Sequence, residues 1–287
     1  MKEKKLKKKS QLLEVWRQLK KNKLAVISLF VLIALILIAI FAPLIAPYSY
    51  SEQDVINSNA PSSSAHLLGT DKLGRDILSR LIYGSRASLI MGFSAIAIGA
   101  IIGIAIGAIS GYFGGWTDNI IMRLLDIYQA VPMLLLCIAL AAILGPSLRN
   151  AIIALGVGMV PGYARMMRAS VMTVREKEYV ESAKSKNCST LRIIVKHIIP
   201  NAIGPMIVQI TMGVGSCILS GAMLSFIGLG VQAPTAEWGA MISDARSVLR
   251  QFPTQALYPG ICVMISVLAC NLLGDGLRDA LDPRLRN

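Results

Sequence analysis

Residues 24–44 read LAVISLFVLIALILIAIFAPL, a run of 21 residues without a charged side chain. A helix needs about 20 apolar residues to cross the hydrocarbon core of a bilayer, so this stretch predicts a transmembrane helix. A Lys-rich start precedes the run, as in a signal peptide. The apolar core of a signal peptide is only about 7–15 residues long, so we interpret the run as an uncleaved first helix.

The whole chain has the composition of a membrane protein. Of its 287 residues, 54% are hydrophobic and only 16% are charged, against about 45–50% and about 25% in soluble domains. These values exclude a soluble enzyme and a disordered chain. Five more apolar segments of roughly spanning length follow, at 89–110, 121–144, 151–167, 203–230 and 257–273. The sequence therefore predicts an all-α membrane protein with six transmembrane helices.

The positions of Lys and Arg predict the orientation in the membrane. Residues 1–23 hold ten of the 29, residues 165–196 hold eight, and the chain after residue 273 holds three. With six spans all of these lie on one side, which the positive-inside rule makes the cytoplasm. Both termini are therefore expected in the cytoplasm. Because the basic start directly abuts a span, we expect the lipid bilayer and not nucleic acid to be its partner.

The spans divide the chain into four parts. Residues 1–23 are a basic, amphipathic cytoplasmic segment, and residues 24–46 hold the first transmembrane helix. Residues 47–87 form an external loop, in which a stripe of apolar residues over 71–86 predicts a short amphipathic helix on the surface. Residues 88–287 form a five-helix core with a cytoplasmic loop at 169–200.

Glycines recur at every fourth position of the second span. A helix places such residues on one face, where they let another backbone approach closely in lipid. We expect this face to be a packed seam inside the bundle. Its members are Gly99, Gly103, Gly107 and Gly111.

Charged residues at the cytoplasmic ends of two spans are spaced for pairing. Arg123 and Asp126 are three residues apart, as are Asp275 and Arg278, so each pair can form on its own helix. We expect these pairs at the inner rim, where they could also contribute to a gate. An ionisable group near the membrane midplane, typical of secondary transporters, is not evident.

The sequence offers no residues for bond chemistry. It contains no paired carboxylates at the centre of a span, no phosphate-binding loop and no dinucleotide fingerprint. The two histidines fall on opposite sides of the predicted membrane, and no cysteines have metal-ligand or redox spacing. We therefore expect no catalytic residues, no metal and no cofactor, which disfavours a membrane-embedded enzyme.

Residues 178–200 read EYVESAKSKNCSTLRIIVKHIIP and predict two helices joined by a turn. Asn187 suits the stop, because Asn tolerates the left-handed conformation better than any residue except Gly. Ser189 is a good N-cap for the second helix. Pro200 fits the start of another helix at the membrane. A short helix with a carboxylate and small side chains, held at the cytoplasmic face, has the shape of a docking surface.

This loop resembles the EAA loop of ATP-binding cassette (ABC) importer permeases, whose pattern is E-A-A-x3-G-x9-I-x-L-P. Two other stretches, HLLGTDKLGRD at 66–76 and NLLGDGLRDALDPR at 271–284, resemble the second permease subunit of dipeptide, oligopeptide and nickel importers. So does RLLD at 123–126 with Pro132 downstream. Within the loop, Glu181, Ala183 and Pro200 match, whereas Ser182, Asn187, His197 and Ile199 replace Ala, Gly, Ile and Leu.

The resemblance implies the transmembrane domain of a type I ABC importer in a bacterial or archaeal cell membrane. It implies a heterodimer with a homologous second permease, two cytosolic ATP-binding subunits docked on the EAA loops, and an external substrate-binding protein. Glu181 would enter a cleft of the ATPase, Ser182 and Ala183 would allow close packing, and Asn187 would set the angle between the helices. The cargo would be dipeptides or oligopeptides, with nickel chelates and oligosaccharides as alternatives. A self-sufficient channel or secondary transporter is the competing class.

Overall fold

The computed structural model describes residues 11–281, with side chains from residue 14 onward. The Lys-rich start and the last six residues, including most of the predicted C-terminal basic tail, lie outside this part. Within it the chain is helical and contains no strand, which confirms the predicted all-α class. The main helices are α1 (Gln11–Leu19), α2 (Lys23–Ile40), α3 (Ile77–Phe113), α4 (Gly115–Gln129), α5 (Met133–Leu144), α6 (Leu148–Val174), α7 (Glu178–Ser185), α8 (Gly204–Phe226), α9 (Trp238–Ala245) and α10 (Thr254–Leu281).

Each predicted span corresponds to a helix or a pair of helices. Four of them, α2, α3, α8 and α10, are long and apolar enough to cross a membrane by length and composition. The α4–α5 pair provides a fifth crossing if it counts as one span. The 27-residue helix α6 is long enough but less apolar. Much of its surface is buried against the protein, so it needs fewer lipid-compatible side chains.

The third span is broken, contrary to the single helix expected over 121–144. Helices α4 and α5 meet at 79°, with a break at residues 130–132. Pro132 precedes α5 and explains the break, because proline has no N–H for a helical hydrogen bond. It also disfavours the helical conformation of the residue before it.

The predicted surface helix over 71–86 does not exist as a separate element. Residues 71–76 form a turn, and α3 then runs without interruption for 37 residues. The Asp76 carboxylate accepts a hydrogen bond from the Ser79 N–H and caps the helix. The polar residues of this stretch are not a solvated face either, since Arg75, Asp76 and Arg80 are buried.

Packing between helices gives their directions. Along α3 and α6 residue numbers rise together, from Gly99 beside Gly156 to Gly111 beside Val171, so these two helices are parallel. Helix α8 runs opposite to both α3 and α10, because Gly221 lies near Met91 and Gly274 near Met212. Gly276 of α10 lies close to Ala25 of α2. Helices α3, α6 and α10 thus run in one direction through the bundle, and α8 runs in the other.

The two ends of the bundle carry different structures. One end holds residues 48–76 and α9, and we call it the latch end. The other end holds residues 178–202, which comprise α7 and the segment that follows it. We call these residues the arm and this end of the bundle the arm end. In the arm, α7 is followed by helical residues Thr190–Arg192, a π-helical turn at Ile193–Ile198 and a last turn at Ile199–Ala202.

A network of buried ion pairs, the latch, ties the two loops of the latch end together. The Arg75 guanidinium is 2% exposed and lies between the Asp71 carboxylate at 2.6 Å and the Asp244 carboxylate at 2.9 Å. Arg80 is 3.5 Å from Asp71 and 3.6 Å from Asp244, and Lys72 is 3.4 Å from Asp244. The latch thus fixes the start of α3 to the end of α9.

We expect the substitution Arg75→Met to destabilise the protein. It removes the buried cation while Asp71 keeps its charge, and breaking a buried pair in this way costs about 3–5 kcal/mol. Arg80 remains near Asp71, so the effect should fall at the lower end of that range. Thermal unfolding of the purified protein in detergent measures the loss. Arg149→Met, at an exposed arginine, is the control, and equal unfolding temperatures for the two variants would contradict the role of the latch.

Candidate functional site

The glycine face of α3 forms a close contact with α6, as expected. A Cβ atom added at Gly103 would lie 2.5 Å from the Tyr163 Cβ and 2.9 Å from the Val160 carbonyl oxygen. The same atom at Gly99 would lie 2.9 Å from the Gly156 carbonyl oxygen, and at Gly111 2.8 Å from that of Arg168. At Gly107 it would overlap the Ala164 carbonyl oxygen. All four glycines are buried. Because glycine has no side chain, the backbone of α3 lies directly against α6 at these positions.

The arm has the predicted helix–turn–helix path. Asn187 adopts a left-handed conformation with φ 55°, which confirms its predicted role in ending α7. Ser189 occupies the N-cap position of the next helix, although its side chain makes no capping hydrogen bond. Pro200 lies in the first turn at Ile199–Ala202, whereas the predicted fifth span itself begins at Gly204.

The arm presents both charged and apolar side chains outward. Glu181 and Ser182 are exposed on α7. The arm also exposes three large apolar side chains, Tyr179, Leu191 and Val195, at 41%, 72% and 51%. Exposed apolar residues grouped on a polar element mark an interaction surface more often than an ordinary solvated face. The arm therefore has the composition of a protein-docking surface.

Ala183 does not belong to that outward surface. Its side chain is 6% exposed and, like that of Val180, is buried in the protein core, as are Ile193 and Ile194 of the second half of the arm. Its small size suits close packing within the arm.

The arm is attached to the ends of α3 and α6. The Arg175 guanidinium, in the turn before α7, donates a hydrogen bond of 2.9 Å to the Gly111 carbonyl oxygen. The Lys184 ammonium lies 5.7 Å from the centre of the Tyr112 ring, within the range of a cation–π interaction. These two contacts join the arm and the turn before it to the last turn of α3, next to the glycine seam.

A cavity of about 770 Å³ opens in the arm-end half of the bundle. It lies at the α4–α5 bend and is bordered by α6, α8 and α10. Its wall mixes flexible apolar side chains with uncharged polar ones and a few charges. The lining residues include Asp126, Gln129, Met133, Met159, Arg165, Met212, Ser216, Asn271 and Arg278.

The charge pairs at this end differ from the sequence expectation. Asp126 pairs with Arg165 of α6, at 2.6 Å, and not mainly with Arg123 of its own helix, which is 3.9 Å away and 84% exposed. A cross-helix partner cannot be found from spacing along one helix. Asp275 and Arg278 do approach each other on α10, at 3.5 Å.

Sequence reasoning missed a second cross-helix pair. The Arg168 guanidinium donates two hydrogen bonds to the Asp118 carboxylate, which also accepts one from the Ser110 hydroxyl. This cluster joins α3, α4 and α6 near the arm end. No helical spacing links residues 118 and 168, so no local signal could have revealed it.

Trp238, the first residue of α9, is buried at the latch end. The side chain is 1% exposed, and its Nε1–H donates a 3.1 Å hydrogen bond to the Leu81 carbonyl oxygen. The neighbouring Glu237 is also buried, accepts hydrogen bonds from the Gly239 and Ala240 N–H groups, and accepts one from the Ser88 hydroxyl. Both residues fasten α9 to α3.

Two family models match the chain. Residues 103–287 match the family described as binding-protein-dependent transport system inner membrane component. Residues 10–61 match the N-terminal transmembrane domain of oligopeptide transport permease C. Together the matches include the arm, the cavity and the first span.

Curated relatives and a solved structure resemble the chain over most of its length. It is 48% identical to the dipeptide transport system permease protein DppC of Alkalihalophilus pseudofirmus, over 96% of this chain and 90% of the relative. It is 43% identical to the glutathione transport system permease protein GsiD of Escherichia coli, over 95% and 90%. The fold resembles the MetNI methionine ABC transporter in inward-facing conformations, with a TM-score of 0.59, 19% identity, and coverage of 72% and 98%.

Proposed function

Since this chain belongs to the family of binding-protein-dependent transport system inner membrane components, we propose that it forms half of the translocation pathway of an ATP-driven importer of short peptides. It is a multi-pass membrane permease subunit with the type I ABC importer fold, and not an enzyme. ATP hydrolysis resides in partner subunits.

The arm is the feature that most directly supports coupling to an ATPase. It exposes Glu181 together with the apolar Tyr179, Leu191 and Val195, and the residue pair Arg175–Gly111 joins the turn before it to α3. A carboxylate within an apolar rim can enter a cleft and pair with a basic residue there. Each of two cytosolic ATP-binding subunits would receive one such arm, this one and that of the second permease.

The cavity supports a pathway completed by a second permease. It is open to one side of the bundle and lies at the end that carries the arm. A homologous permease facing it would close the wall and form a channel between the two chains. We orient the permease with the arm end and both termini on the cytosolic side. The latch end then faces the external binding protein.

Peptides are the cargo that the relatives' names favour. The relatives transport dipeptides and glutathione by name, and a cavity of this volume falls within the range of small-molecule sites, about 300–1,000 Å³. Methionine side chains in the wall are flexible and accommodate varied shapes. Nickel chelates and oligosaccharides remain the alternatives that a transport assay must exclude.

Purification from native membranes, followed by reconstitution, tests this function. We expect mass spectrometry of the mild-detergent eluate to find a second permease, ATPase chains and a binding protein that carries a peptide. In proteoliposomes the complex should accumulate dialanine only when ATP and the binding protein are both present. Uptake without any ATPase would instead establish a channel or secondary transporter. A bound metal chelate or sugar would keep the architecture and disprove the peptide cargo.

A further inference from the structure

The charges of the cavity wall are unbalanced. Three of its lining residues are charged, namely Asp126, Arg165 and Arg278, so the wall carries one net positive charge. Charges inside a cavity with low-dielectric walls act more strongly on a ligand than charges on an open surface. The wall therefore favours cargo that brings a carboxylate.

Arg165 is held much less firmly than its neighbour Arg168. One Nη2–H of Arg165 donates to Asp126, and both side chains remain nearly half exposed, at 44% and 49%. Arg168, three residues later, donates hydrogen bonds from both Nε and Nη2 to the Asp118 carboxylate, whose side chain is only 11% exposed. Exposed single ion pairs contribute about 0–1 kcal/mol to stability, so Arg165 can exchange one carboxylate for another at little cost.

Arg278 offers a second weakly engaged guanidinium at the same wall. Its contact with Asp275 is 3.5 Å long, and both side chains are more than half exposed. Guanidinium groups bind carboxylates with paired, charge-assisted hydrogen bonds. Around these charges the wall provides uncharged hydrogen-bonding groups in Gln129, Ser216 and Asn271, which suit an amide chain.

We propose that Arg165 and Arg278 form a carboxylate-binding subsite for the peptide cargo as it passes through the permease. Asp126 is the resident counter-ion, and Arg165 leaves it when a cargo carboxylate arrives. The subsite rests on the proposed function. It explains how a pathway that does not discriminate between peptide side chains can still bind each peptide. Every free peptide ends in a carboxylate, whatever its side chains are.

Protection of a cavity cysteine measures cargo binding directly, without selection by the binding protein. Ser216 is exposed in the cavity wall, so the variant Ser216→Cys in the nucleotide-free complex can be labelled with a thiol reagent. The parent complex gives the background from native cysteines. We expect dialanine and N-acetyl-dialanine to slow labelling, and dialanine amide, which lacks the carboxylate, to have little effect.

Variants in the Ser216→Cys background separate binding from a structural role. Removing one charge-assisted bond in Arg165→Gln or Arg278→Gln should raise the dialanine concentration that halves labelling by roughly tenfold. Asp126→Asn should lower it, because Arg165 loses its competitor. A purely structural ion pair predicts instead that Asp126→Asn and Arg165→Gln act alike. Arg123→Gln, at the same rim but outside the cavity wall, is the matched control and should change nothing.

The outcomes distinguish the subsite from the proposed function. Equal protection by dialanine and its amide, or no effect of Arg165→Gln and Arg278→Gln, would overturn the subsite and leave a peptide permease. If none of the three peptides protects and an oligosaccharide or metal chelate does, both the subsite and the peptide cargo are wrong.

Discussion

Glu181→Arg abolishes ATP-driven uptake while the permease still inserts in the membrane: this is the expected result for the arm. The side chain is exposed on α7 and makes no ion pair within the described part of the chain, so the reversal leaves the fold of the subunit intact. In the complex it would place a cation against a basic cleft. Losing a buried charge pair costs about 2–5 kcal/mol, which corresponds to at least a roughly 30-fold weaker docking of the ATPase.

Two measurements check this expectation. Co-purification reports whether the ATPase remains bound, and uptake per ATP hydrolysed reports coupling. Glu52→Arg is the control, because Glu52 has the same charge and is exposed at the latch end, away from the arm; it should keep the ATPase bound and coupled. Normal transport and coupling by the Glu181→Arg complex would refute the account of the arm.

Gly103→Leu should prevent assembly of a stable permease. The first added carbon alone would contact the Tyr163 Cβ and two backbone atoms of α6 at 2.5–3.0 Å, and the rest of the leucine has no space. Overpacking of a core costs about 1–3 kcal/mol and more when backbones must separate. Because α3 and α6 are both central, we expect little protein in membranes and a strongly lowered unfolding temperature.

Gly260→Leu is the control for this substitution. Gly260 also lies in a spanning helix, but a Cβ atom there would meet nothing within 4 Å. It should accumulate and melt like the parent protein. If Gly103→Leu assembles and transports as well as Gly260→Leu, the seam is not a close contact. Gly103→Ala grades the effect, since it adds only the first carbon.

The features that sequence predicted best are those encoded locally. The four-residue spacing of glycines reports one helix face directly, and it needs no knowledge of the partner helix. Asn187 was assigned from its own conformational preference, and the backbone agrees. The apolar runs likewise marked the four helices that are long and apolar enough to cross a membrane, because hydrophobic length is a property of the segment itself.

The features that sequence missed depend on distant partners. From the sequence alone, Arg75 was assigned to the polar face of a surface helix. In the structure it binds Asp244, which is 169 residues away in the chain. Asp126 has a helical neighbour three residues before it, yet Arg165 from α6 lies closer. The cavity is a further case, since its wall is drawn from five helices. Pro132 was noted, but a continuous apolar run concealed the break that it causes.

The length of α3 has a mechanical consequence. At 1.5 Å per residue, its 37 residues make a rod about 55 Å long. Its far end holds α9 through the Ser88–Glu237 and Trp238–Leu81 hydrogen bonds, and its near end holds the turn before the arm through Arg175. Since the glycine face of α3 lets the backbone and Cβ atoms of α6 pack directly against it, the two helices form one stiff unit. A tilt applied to the arm would then swing α9 at the opposite surface without unfolding any helix between them.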